Sequence, residues 1–175
     1  MVPLEGDWSL SNRAVRRVAS SFAPRERSGS LDARGLKLGI LCARWNPTVT
    51  DAMVSSACAA LGRHGARAED VLLVRVPGAF ELPVAARTLI ETEKPDAVVA
   101  LGAIVRGETS HHEVLGNAVA SALAALSAET GVPVGFGLLT CDTMDQARSR
   151  VAKGAEAAEA AVEMANLRRL LSRKG

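Results

Sequence analysis

From residue 36 onward the apolar positions follow two rhythms in turn. Residues 36–43 (LKLGILCA), 71–76 (VLLVRV), 97–101 (AVVAL) and 133–140 (PVGFGLLT) are short, nearly continuous apolar runs, the pattern of strands buried on both faces. Between them the apolar residues recur at helical spacing. Val49, Met53, Ala57, Ala60 and Leu61 predict a helix to about His64, with Thr48 or Thr50 as its cap and Gly65 as its stop. A second helix is expected over 81–91, with Pro83 tolerated in its first turn. A third follows over 117–126 through Val119, Leu123 and Leu126, behind Thr109 or Ser110 as cap. The last starts near Asp142 or Thr143 and keeps its stripe through Met144, Ala147, Val151, Ala158, Val162 and Ala165. Gly154 lies inside it at a cost of about 1 kcal/mol relative to Ala, which predicts a kink there.

Strands that alternate with helices predict an α/β fold: a single-domain, doubly wound, four-stranded parallel sheet between two helical layers, flavodoxin-like, with right-handed crossovers. Residues 1–35 break the rhythm. They are rich in Ser and Arg and lack strand-like runs, so they are expected to form a flexible N-terminal extension to a domain over 36–175. Within it Val15, Val18 and Phe22 fall on one face of a short helix. Docking or targeting is the second reading of this segment.

Composition narrows the function classes. Twenty-one basic against nineteen acidic residues leave a net charge of +2, and aromatics make up 3% with no Tyr. Neither a basic stripe nor stacking platforms for nucleic acid are present in such a chain. No apolar run reaches the length of a membrane span, and no apolar core of a secretory signal is found. Cys42, Cys58 and Cys141 are widely spaced, without CxxC or Cys/His ligand spacing; neither a disulfide framework nor structural zinc is expected, and a reducing cytoplasm fits.

In open parallel sheets, ligands lie beyond the carboxyl ends of the strands. That rule gathers four loops, 44–46, 77–81, 106–112 and 140–143, and with them nearly all the conspicuous residues. Gly107 and the following helix start make an anion-holding turn, and an adjacent histidine can move protons near neutral pH. A capped turn carrying solvated histidines fits the same residues. Trp45 suits stacking on a flat heterocycle, or packing in a core or subunit contact. Glu81 can accept hydrogen bonds from a polyol or amine, or simply favour a helix N-terminus. Arg150 suits a bidentate phosphate contact or a solvated helix face. His111 and His112 are adjacent, so on a helical start only one is expected to face a ligand. His64 reads as a charge at a helix end, and Cys141 has no readable base beside it.

Four motifs give the chain a resemblance to the 6,7-dimethyl-8-ribityllumazine synthases: ARWN (43–46), VPGAFELP (76–83), ALGAIVRGETSH (100–111) and PVGFGLLTCDTMDQARSR (133–150). Their order and spacing agree over residues 36–170. The resemblance implies a condensation of 5-amino-6-(D-ribitylamino)uracil with 3,4-dihydroxy-2-butanone 4-phosphate, without metal or organic cofactor. Phosphate and water leave as the lumazine ring closes. It implies that Trp45 stacks on the pyrimidine with Asn46 beside it, and that Ala79, Phe80 and Glu81 line the pyrimidine and ribityl site. Gly107, Glu108 and Thr109 would hold the phosphate, and His111 would be the acid/base group. Phe136 and Arg150 would reach in from a neighbouring subunit, against the ring and the phosphate respectively.

The same resemblance implies small-molecule substrates and a homo-oligomer. Pentamers are expected, with a strand added to each sheet from a neighbour's N-terminus, a shell of twelve pentamers (sixty subunits) as a further state, and riboflavin synthase as an associating partner. Two departures stand out. His112, Glu113 and Val114 follow His111 where many members read Phe-Asp-Tyr. A Gly-rich segment after Arg150 is missing, so Lys153 and Gly154 follow almost at once. These motivate one alternative, a non-catalytic flavin- or lumazine-binding or shell-forming protein of the same fold. An archaeal-type riboflavin synthase, a related enzyme of the same pathway, is a second, against which the complete VPGAFELP and GAIVRGETSH motifs argue.

Overall fold

The computed structural model describes residues 24–172. The expected helix through Val15, Val18 and Phe22 lies outside the described residues. Four strands and five helices follow in order: β1 (Leu38–Ala43), α1 (Pro47–Arg63), β2 (Val71–Val76), α2 (Leu82–Glu93), β3 (Ala97–Val105), α3 (His111–Thr130), β4 (Val134–Cys141), α4 (Met144–Arg148) and α5 (Lys153–Ser172). All strand pairs are parallel, and the sheet order is β2-β1-β3-β4. The expected α/β sandwich is what forms.

Because side chains alternate across a strand, β3 feeds both faces of the sheet. Ala97, Val99 and Leu101 join the core under α1 and α5, whereas Val98, Ala100 and Ile104 join the core under α2 and α3. A continuous apolar run is therefore required, and each fully buried Leu or Val contributes about 1.5–3 kcal/mol relative to exposure. Among the described residues the buried core holds no aromatic side chain.

Three boundaries depart from the sequence reading. β3 does not stop at Leu101 but continues to Val105, pairing β4 as far as Val105 opposite Cys141. Helix α1 starts at Pro47 behind Asn46, not behind Thr48 or Thr50; Thr50 is buried, with its hydroxyl 3.4 Å from the Asn46 carbonyl. The last helix is two helices. Thr143 caps the short α4 by accepting from the Gln146 amide at 3.2 Å, the chain turns between Arg148 and Lys153, and α5 begins.

Gly154 is not a kink but a contact. A Cβ there would collide with the Met53 carbonyl oxygen of α1, and one on Gly135 of β4 would collide with the Ala157 carbonyl oxygen of α5. Glycine at both positions lets α5 approach helix and sheet at backbone distance.

Residues 30–35, grouped with the extension by composition, are tied to the domain. The Asn166 amide of α5 donates to the carbonyls of Ser30 and Asp32, both at 2.8 Å. The Ala33 amide donates to the His64 carbonyl at 2.8 Å, and Ala33 is fully buried.

Candidate active site

The sheet order places the topological switch between β1 and β3: the chain leaves β1 for β2 on one side and returns to β3 on the other. Loops diverge at such a point and leave a crevice at the carboxyl ends of the strands. A cleft of about 610 Å³ lies there. Trp45 and Asn46 come to it from the end of β1, Gly78, Ala79, Phe80 and Glu81 from the end of β2, Ala103, Ile104 and Val105 from the end of β3, and His111 and Leu115 from α3.

Trp45 and Phe80 are 72% and 69% exposed. Large aromatic side chains are normally among the most buried groups, and these two stand open on the walls of one cleft. Such an arrangement suits a flat ring held between or against them. Glu81 lines the same cleft, its Oε2 accepting from the Gly78 amide at 2.8 Å. That bond fixes the carboxylate at the start of the turn preceding α2 and leaves its second oxygen to accept from hydroxyl or amine donors.

The two adjacent histidines divide as expected. His111 is exposed and lines the cleft. The His112 ring is directed inward: its side chain is 9% exposed, with Nδ1 3.2 Å from the Thr109 carbonyl oxygen and Nε2 3.8 Å from Glu113 Oε1. A carbonyl oxygen only accepts, so the proton is on Nδ1 of His112. This bond closes the turn that begins α3.

Gly107, Glu108 and Thr109 form the exposed turn between β3 and α3, one to three residues ahead of the Ser110 cap. Ser110 caps without a side-chain bond; the Thr109 hydroxyl, 3.4 Å away, accepts from the His111 amide instead. The amides at this helix start face the positive end of a 20-residue helix, a setting that attracts anions. Beside the turn, Arg106 lies 3.4 Å from Asp142 in an exposed ion pair.

Phe136 and Arg150 are not brought to this cleft by the chain that carries them. Phe136 pairs opposite Ala100, toward the start of β4 and away from the carboxyl edge. It lies half exposed in a separate apolar groove with Met164 and Leu171. Arg150 occupies the exposed turn between α4 and α5, donating to the Gln146 carbonyl at 3.0 Å and approaching the Ser149 hydroxyl at 3.3 Å.

The family-wide sequence model described as 6,7-dimethyl-8-ribityllumazine synthase matches residues 35–169. The chain belongs to the lumazine synthase family. A lumazine synthase of Nitratidesulfovibrio vulgaris (strain DP4) is 45% identical over 140 residues, 77% of this chain and 90% of that protein. The Aquifex aeolicus enzyme of the same name is 46% identical over 144 residues, covering 79% and 94%. That of Nitrosomonas europaea is 46% identical over 143 residues, covering 81% and 87%. Neither the non-catalytic alternative nor the riboflavin synthase alternative finds support among these relatives.

Residue patterns alone did not reveal the walls of this lumazine synthase-like cleft formed by Ala103, Ile104 and Val105. The apolar residues 103–105 carry the signal, but Gly102 interrupts the apolar run before them. Among the described residues no helix is long and apolar enough to cross a membrane, and no three His, Cys, Asp or Glu side chains cluster as metal ligands.

Proposed function

We propose that the cleft at the β1/β3 switch is the pyrimidine half of the active site with which this chain, a lumazine synthase, condenses 5-amino-6-(D-ribitylamino)uracil with 3,4-dihydroxy-2-butanone 4-phosphate. The observation that carries the reading is the pair of open aromatics, Trp45 and Phe80, on one cleft with His111. Trp45 stacks on the pyrimidine, Asn46 flanks it, and Ala79, Phe80 and Glu81 line the ring and the ribityl chain, with Glu81 accepting from ribityl hydroxyls. Gly107, Glu108 and Thr109 hold the phosphate through main-chain amides and the Thr109 hydroxyl.

The substrate's own amine is the nucleophile. Its attack on the ketone gives a carbinolamine that loses water to an imine; phosphate then leaves, and the second amine closes the ring with loss of water. Each step moves a proton at nitrogen or oxygen, and His111 is placed to shuttle it. Holding two reactants together accounts for much of the acceleration. Mixing purified protein with the two substrates and following lumazine absorbance against the uncatalysed reaction tests the activity. Acceleration is expected; its absence would contradict the reading.

The site is completed by a neighbour. Phe136 and Arg150 lie outside their own chain's cleft, and both outer strands, β2 and β4, have a free edge among the described residues. Leu72 and Leu73 on β2 are 45% and 40% exposed, which an added strand from a neighbouring N-terminus would cover. The assembly is a pentamer in which Phe136 meets the ring and Arg150 the phosphate of the adjoining site, with a shell of pentamers and association with riboflavin synthase as higher states. The segment ahead of residue 30 acts as the extension and the rest as the catalytic domain, in the cytoplasm.

A further inference from the structure

Asn46 joins α1 to β3 at the switch point through its main chain and its side chain. Its backbone is left-handed, with φ 57°, one of two such non-glycine residues among those described. Its carbonyl accepts from the Val49 and Thr50 amides at 2.9 and 3.0 Å, which starts α1. Its side-chain amide donates to the Ala103 carbonyl of β3 at 2.8 Å. The reason lies in strand lengths. The β1–β3 ladder ends at Cys42 opposite Leu101, while β3 runs on to Val105. The Ala103 carbonyl on the β1 side thus has no strand partner, and a part-buried carbonyl left without one is costly.

We infer that Asn46 is a positioning residue: its side-chain amide continues the β1–β3 ladder by one rung and thereby fixes Trp45 at the mouth of the cleft. Asparagine suits both halves of this task. It tolerates the left-handed turn better than most residues, and it supplies the donor that strand β1 no longer provides. Trp45, one residue earlier, is held against the second wall, its indole Cδ1 3.4 Å from where a Cβ on Gly78 would stand. Gly78 is in turn bonded to Glu81. The rung from Asn46 to Ala103 therefore sets the separation of the three strand ends before any substrate arrives. The inference rests on the reading of Trp45 as the stacking platform, and deepens it.

The test combines a double-mutant cycle with a measurement on the substrate-free protein. Asn46→Asp keeps the shape and places an acceptor against the Ala103 carbonyl; Asn46→Gly keeps the left-handed turn and removes the amide. Both are expected to raise the KM for the pyrimidine on the order of tenfold in the presence of Trp45, and by less than twofold in a Trp45→Ala background, because the two residues act as one unit. With Trp8→Phe making Trp45 the sole tryptophan, both variants are expected to lower its fluorescence anisotropy without substrate, at unchanged far-UV circular dichroism. An equal rise in KM in both backgrounds would mean that Asn46 acts on the substrate independently of Trp45, and would overturn the inference. So would unchanged kinetics and anisotropy. If Trp45→Ala alone left the pyrimidine KM unaltered, the stacking role would fail instead, and the anisotropy would decide the rung by itself.

Discussion

At the scale of single residues, the catalytic assignment divides labour between groups that the fold keeps apart. His111 faces the cleft, so His111→Ala is expected to lower kcat by up to about a hundredfold, the low end of what acid–base groups supply, because the attacking amine needs no activation by the protein. Pyrimidine binding should be largely retained, which a direct titration of ligand binding would check. Arg150→Ala should raise the KM for the phosphate substrate by about tenfold or more with little change for the pyrimidine, as loss of a charge-assisted contact does. The gathering of Trp45, Phe80, Glu81 and His111 at one cleft was legible beforehand from the strand-end rule, although each residue alone also suited a structural role. The role of Asn46 was not legible. Its partner is a main-chain carbonyl fifty-seven positions away, left without a strand partner only because one strand outlasts another.

At the scale of elements, α5 depends on two places without side chains. Gly135→Ala would drive a Cβ into the Ala157 carbonyl oxygen, and backbone cannot yield cheaply, so a loss of about 1–3 kcal/mol or more is expected. Gly62 in α1 faces open space, with nothing within 4 Å of where a Cβ would stand, and Gly62→Ala should stabilise by about 0.4–1 kcal/mol by restricting the unfolded chain. Thermal melts of the two variants should therefore shift in opposite directions. The strap at residues 30–35 adds a pH dependence. Hydrogen bonds from the Arg34 side chain and amide hold the Asp32 carboxyl at about 2 instead of 3.8. A lowered carboxylate value stabilises the folded form above the unfolded value and is lost as pH falls through the folded one. Hydrogen-exchange protection at residues 30–35, taken relative to the intrinsic rate at each pH, should accordingly fall between about pH 4 and 2, and an Asp32→Asn variant should show the lower protection already at neutral pH. The strand and helix order was readable because buried parallel strands need unbroken apolar runs. The division of the last helix was not, since its apolar stripe continues through Val151 while the backbone turns to seat Gly154 on Met53.

At the scale of the whole molecule, the proposed site is divided between subunits. The cleft holds the residues suited to the pyrimidine, and Phe136 and Arg150 are displayed elsewhere on the same surface. A repeated, head-to-tail contact between identical subunits brings unlike surfaces together at every interface, so each chain can complete its neighbour's cleft. Such a convergence is not readable from residue order, because in the proposed assembly the residues meet only between subunits; the resemblance in the shared motifs is what implies it. The most direct measurement is complementation. At low phosphate substrate, His111→Ala alone should retain as little as about a hundredth of the activity and Arg150→Ala about a tenth or less. Coexpressed in equal amounts, the two variants should form mixed assemblies in which about a quarter of the sites draw an intact His111 from one subunit and an intact Arg150 from the next. Activity approaching that fraction of the unaltered protein is the predicted result. Activity no greater than the average of the two variants would place both residues in the same chain's site and contradict the account.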